Sequence, residues 1–159
     1  MRARRFATLV VAAFILTGVL NIMSSYSTTD VTQAKAVPAP DGSTVRPLLA
    51  LAGGGMACFD LAAGCTTRAV VHRTIEELWF VRAGSGELWR KQDGAEDITS
   101  LTAGVCVSIP LGTHFQFRAA PERALSIVGV TMPPWPGDDE AQVVAGPWMA
   151  HGRPASDGG

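Results

Sequence analysis

Two of the three histidines in this chain stand where metal or acid–base chemistry is easiest to build. His72 closes the run TTRAVVH, Glu77 follows it five residues later, and His114 leads into FQFRA. Imidazole nitrogens and a carboxylate suit first-row transition metals. Two histidines with one carboxylate match the facial triad of non-haem iron sites, which leaves positions open for a substrate. Gln116, two residues beyond His114, would orient that substrate. Trp79, Phe115 and Phe117 lie among these residues and, with Gln116, would line a largely apolar ligand pocket. A plainer role competes with each assignment. A single strand histidine commonly serves as a hydrogen-bonded structural residue, and Glu76 and Glu77 can pair weakly with Arg73, Arg82 or Arg90 at the surface. Yet one of two consecutive strand glutamates must face inward, and an inward charge needs a partner or a metal.

Other chemistries are absent from the sequence. There is no GxSxG elbow, no HExxH and no glycine loop built to cradle phosphate ahead of a helix. The net charge of −1 offers no basic surplus for nucleic acid, and the four tryptophans do not alternate with basic residues as a base-stacking platform would. Cys58, Cys65 and Cys106 show no CxxC spacing, which argues against a zinc ribbon. Cys58 and Cys65 leave two readings open: a bridge in an exported domain, or small buried apolar residues.

The elements that must position these side chains are short strands. Hydrophobic residues make up 47% of the chain and charged residues 17%, enough apolar material for a core. From Val45 the chain reads as nine apolar runs: 45–51, 56–61, 66–72, 76–82, 87–91, 97–101, 105–109, 115–119 and 124–132. Turn residues separate them, including GGG (53–55), AGSG (83–86) and QDGAE (92–96). Strands at this spacing, with no surviving helical period, predict an all-β sandwich or barrel over 45–132. PPWPG ends the last strand, and residues 133–159 form a tail whose Trp135 and Trp148 would cover an open end of the barrel.

Ahead of the domain, MRARR precedes 18 uncharged residues, 6–23. This is the order of a signal peptide or of a signal-anchor helix in a membrane, with the arginines kept inside. It predicts a cell-envelope location, anchored or exported. Translation from Met23 would instead give a cytoplasmic protein. Residues 24–44, rich in Ser, Thr, Pro and Ala, read as a flexible, disordered linker.

AVVHRTIEELWFVRAGSGEL (69–88) resembles the first cupin motif, with Gly64, His72, Glu77 and Gly84 at the family spacing. GVCVSIPLGTHFQF (104–117) resembles the second, through Gly104, Pro110 and Gly112. The resemblance covers roughly 45–132. It implies a single jelly-roll barrel around a cavity, a divalent metal (Fe, Mn, Ni or Zn) held by three histidines and a glutamate, and frequent homodimers. Carried over by position, the metal ligands fall on Val70, His72, Glu77 and Phe115. His114 misses the third histidine position by one residue, an offset that only a β-bulge would correct. The reading is therefore a cupin barrel that binds a small organic molecule with a degenerate or absent metal site. The alternative is a metal-dependent oxygenase or isomerase using His72, Glu77 and His114.

Overall fold

The computed structural model describes residues 25–151; the expected N-terminal hydrophobic helix over 1–23 lies outside them, as do residues 152–159. Among the described residues the regular elements are all strands, and no helix is long and apolar enough to cross a membrane. They are β1 (Val37–Pro38), β2 (Thr44–Leu51), β3 (Gly54–Leu61), β4 (Val70–His72), β5 (Glu76–Gln92), β6 (Ala95–Thr102), β7 (Cys106–Ile109), β8 (His114–Ala119), β9 (Leu125–Met132) and β10 (Ala141–Val143).

The strands pair antiparallel in the order β1-β2-β3-β9-β5-β8-β4-β10, with β6 and β7 also on β5. The sheet curls so that its two halves face each other. β1, β2, β3, β9, β7 and the first part of β5 form one wall; β6, β8, β4, β10 and the second part of β5 form the other. Side chains alternating inward from both walls make the core, with Val81, Leu88, Leu101, Ile109, Phe117, Leu125 and Ile127 at its centre. Cys65 joins this cluster. Cys58 is buried on the outward side of β3, its Sγ 3.5 Å from the Ser126 hydroxyl.

β5 corrects the sequence reading. Two strands were expected on either side of AGSG, yet one strand of 17 residues runs through it. Gly84 makes the corner instead of a hairpin. Its φ is +85°, and a Cβ built there would lie 1.7 Å from the Ala124 carbonyl oxygen. A register shift against β9 between Val81 and Ala83 adds the bulge that turns the strand from one wall to the other. Local turn chemistry was legible here, but whether a corner or a hairpin results depends on β9 and β8, far away in sequence.

Both flanking segments also hold elements that the apolar pattern did not show. β1, within the expected linker, pairs Val37 with Val45 and Pro38 with Thr44. β10, within the expected tail, pairs Ala141 with His72 and Val143 with Val70. Each is only two or three residues long, too short for a period-2 signal to register.

Gly84→Ala should lower stability by more than about 2 kcal/mol, because the side chain meets both an unfavourable φ and a backbone oxygen. Urea denaturation followed by far-UV circular dichroism measures this.

Candidate functional site

Alternation along three strands brings the site together. In β4, Val70 and His72 point inward while Val71 does not; in β5, Glu77, Trp79 and Val81 are buried between exposed neighbours; in β8, Phe115 is the inward partner of Val70. They converge on a cavity of about 430 Å³. Its other walls are mostly apolar, with Val45, Ala57 and Phe59 from the barrel, Val37 to Pro40 from the N-terminal arm, and Trp135 and Ala141 from the tail; Thr131 and Asp138 also border it.

A buried polar pair sits in this wall. His72 Nε2 and Glu77 Oε1 are 2.6 Å apart, with both side chains almost inaccessible. The approach lacks an aligned hydrogen bond, and both ring nitrogens remain unsatisfied. Glu77 Oε2 accepts a hydrogen bond from the Trp79 indole N–H at 2.5 Å. The His72 ring lies between Phe115, with centroids 5.1 Å apart, and the edge of Trp135, at 5.6 Å and 84°.

Asp41 is a third polar group on the same cavity. Its Oδ1 accepts hydrogen bonds from the Ser43 N–H and hydroxyl at 2.8 and 2.7 Å. Burial pushes its carboxyl above the ordinary carboxylate range. The Ser43 hydrogen bonds oppose that rise, while the nearby Glu77 charge adds to it. The Arg68 N–H fixes the arm by donating to the Asp41 carbonyl at 2.8 Å.

The tail is held over the site by Glu140, which is 2% exposed. Its carboxylate accepts from Thr74 N–H (2.6 Å), the Thr74 hydroxyl (2.8 Å) and Ile75 N–H (3.0 Å). Burial raises its pKa, but these hydrogen bonds outweigh the burial and the net shift is downward.

His72 and Glu77 thus meet, and Trp79 and Phe115 line the cavity, but the remaining expected site residues lie elsewhere. His114 pairs with Val71 and Lys91 on the opposite side of β8 from Phe115, so it does not converge with His72. The bulge that would have turned it inward is absent: β8 runs against β5 through six consecutive pairs without a shift. Gln116 also faces away from the cavity. It donates to the carbonyls of Thr67 (2.7 Å) and Trp148 (2.9 Å) and accepts from the Trp148 N–H (3.1 Å), tying the tail to the barrel. Phe117 is core, edge-on to Trp79 at 5.2 Å and outside the cavity lining. Of the two tail tryptophans, Trp135 borders the cavity, whereas Trp148 lies over the Arg118 guanidinium at 4.3 Å on the outer side. Asp41 and Glu140 were missed as site residues, whereas Trp135 was expected to cover an open end of the barrel and borders the cavity. The signals available were an ST/Asx-type turn at DGS and an acidic residue after PPWPG, neither of which specifies a distant partner.

No family model and no curated protein matches the sequence. Solved structures do match in shape. The polyketide cyclase RemF from Streptomyces resistomycificus aligns with TM-score 0.62 and 20% identity over 76% of this chain and 87% of its own. KdgF from Halomonas sp. aligns with TM-score 0.60 and 14% identity over 70% and 97%. A Streptomyces PAC13 variant with uridine aligns with TM-score 0.60 and 13% identity over 77% and 92%. These are cupin-type barrels. The chain has the cupin fold.

The four positions that carry metal ligands by cupin resemblance, Val70, His72, Glu77 and Phe115, all line the one cavity. Convergence is kept while the donor set is halved. Transition-metal sites need three or four ligands, and here two of the four positions are apolar and one Glu77 oxygen is held by Trp79. Among the described residues no group of three or more His, Cys, Asp or Glu is placed to hold a metal ion. The residues present do not fit a metal centre.

Combining Val70→His with Phe115→His should refill the set. Elemental analysis after reconstitution should find close to one zinc or nickel per chain in the double variant and far less in the wild type. Equal metal in both would show that the native residues already suffice. Separately, Glu140→Gln should cost about 1–3 kcal/mol at neutral pH by weakening a buried hydrogen-bonded acceptor. A carboxyl with a depressed folded-state pKa stabilises above its unfolded value, near 4.5, and loses that contribution as pH falls through the folded value. The gap between wild type and Glu140→Gln in urea denaturation should therefore narrow below that pH.

Proposed function

We propose that the barrel binds a small, largely apolar organic molecule bearing one oxygen function, without a metal. The carrying observation is the cavity itself: cupin ligand positions converge on it, yet it presents apolar walls at Val70 and Phe115 beside a buried His72–Glu77 pair. A volume of about 430 Å³ falls in the range of about 300–1,000 Å³ typical of ligand pockets. Mostly apolar lining with a few polar groups supplies affinity through burial and orientation through hydrogen bonds. Among cupin-fold neighbours one was solved with uridine and another is a polyketide cyclase, in keeping with an organic molecule as guest.

Asp41 would read the oxygen function. With its pKa raised, its carboxyl stays protonated further up the pH scale than an ordinary Asp, so it can donate to a ligand carbonyl or hydroxyl. The close His72–Glu77 contact favours a second reading, in which the pair also moves a proton on the bound molecule. That reading predicts a converted product; binding alone predicts ligand recovered unchanged.

A thermal-shift screen of small cyclic ketones, alcohols and lactones tests the binding. Ligands should raise Tm progressively with concentration. Ala57→Phe, which fills the cavity, should abolish the shift, and Asp41→Leu should weaken binding about tenfold. Affinity should fall as pH rises through the Asp41 pKa, above the ordinary value near 3.8. Asp41→Asn, which keeps a donor, should bind with that pH dependence removed. A shift unaffected by Ala57→Phe would place the ligand outside the barrel.

A further inference from the structure

The cavity is largely apolar, and so is the way into it. Residues that line the cavity and are also exposed mark its opening. Leu49, Met56 and Trp135 do both, at 37%, 42% and 39% exposure, and Pro38, Pro47 and Ala50 add smaller apolar surface. Leu49 and Met56 are direct partners across β2 and β3. Leu51, two places beyond Leu49 and therefore on the same side of β2, is 68% exposed. Trp135 joins rim to interior, since its ring also meets His72 at 5.6 Å. Asp138 is the one charged residue among the exposed lining. Apolar side chains gathered around an opening mark a surface that something other than water covers.

The chain itself indicates what that is. The uncharged stretch 6–23 is 18 residues long, within the range of about 17–25 for a membrane span. Residues 24–36 join it to Val37, and Val37 to Asp41 are a wall of the cavity. Fully extended, the joining residues reach at most about 45 Å at ~3.5 Å per residue. The turn in which Gln33 and Ala34 donate to the Asp30 carbonyl shortens them. A bilayer that holds 6–23 is therefore held beside the cavity opening. Glu122, in the turn ahead of β9, lies at the far end of that strand from the cavity residue Thr131. Trp135 suits a bilayer surface, because an indole combines an apolar body with a polar N–H and settles where hydrocarbon meets headgroup. Asp138 offers no attraction for anionic lipid, so the fitting surface is zwitterionic.

We propose that the cavity opening is a membrane contact: Leu49, Leu51, Met56 and Trp135 enter the surface of a zwitterionic bilayer that holds residues 6–23, and the cavity takes its guest from the lipid. The contact removes apolar side chains from water. The guest's entry rests on the cavity reading above. A largely apolar molecule with one oxygen function dissolves in a bilayer with that oxygen near the headgroups, where the opening lies. Passing from lipid to cavity, its carbon frame never crosses water.

Fluorescence quenching on the full chain in phosphatidylcholine vesicles tests this. Cys106→Ser removes the exposed thiol, and an environment-sensitive dye is attached at Leu51→Cys in one protein and at Glu122→Cys in another. The dye at position 51 should shift to the blue and lose its emission to bromine carried on the lipid acyl chains. The dye at position 122 should emit as in water and be quenched by aqueous iodide. Adding Leu49→Asp and Met56→Asp should return the dye at 51 to water with an unchanged far-UV circular dichroism spectrum. A dye at 51 that stays in water overturns the proposal, and so does equal lipid quenching at 51 and 122. So does a dye at 51 that ignores the double substitution, which would leave its placement to residues 6–23 alone. The vesicles hold no guest, so the result reads the rim whether or not the thermal-shift screen finds one.

Discussion

Everything in this barrel depends on β5 belonging to both walls. One strand pairs with β9 and β7 along its first part and with β8 and β6 along its second. Turning it requires the chain to pass the Ala124 carbonyl at a distance that only a residue without Cβ permits, so Gly84 is a steric requirement of closure. Inward alternation on the first part then places Glu77 and Trp79 on the cavity, and on the second part it places Leu88 in the core. The corner and the site are one consequence of one strand.

The pattern of apolar runs and turn residues carried the barrel, because period-2 alternation reports directly which side of a strand is buried. The cupin motif spacing grouped His72, Glu77 and Phe115, and all three line the cavity together with Trp79. His114 and Gln116 failed for an equally simple reason. They flank Phe115 and share the opposite side of a strand that commits Phe115 inward, so a lone ring nitrogen or amide cannot join the site without a bulge. Phe117 alternates inward too, but sits deeper, in the core. Asp41 and Glu140 were illegible because the groups they approach, His72 and Glu77 for one and Thr74 and Ile75 for the other, are remote in sequence and no local periodicity encodes a contact of that range.

The cavity has the architecture of a metal centre with the chemistry of a hydrophobic pocket. With Val70 and Phe115 in two donor positions, the remaining pair is set among apolar walls, which make each polar contact count for more than it would in water. Trp79 compensates by holding one Glu77 oxygen from below. The result is a polar spot with fixed geometry in an otherwise featureless lining, which is how a pocket recognises a functional group and tolerates variation in the carbon frame around it.

Two walls of that cavity come from the two flanking segments, not from the long strands. Val37 to Asp41 come from before the first long strand, and Trp135 to Ala141 from after the last. Each is anchored at a few points, through Arg68 and Ser43 on one side and Glu140 on the other. Substitutions in these stretches can reshape the cavity without disturbing the packed interior. The shape of the cavity is thus set separately from the packing that closes the barrel.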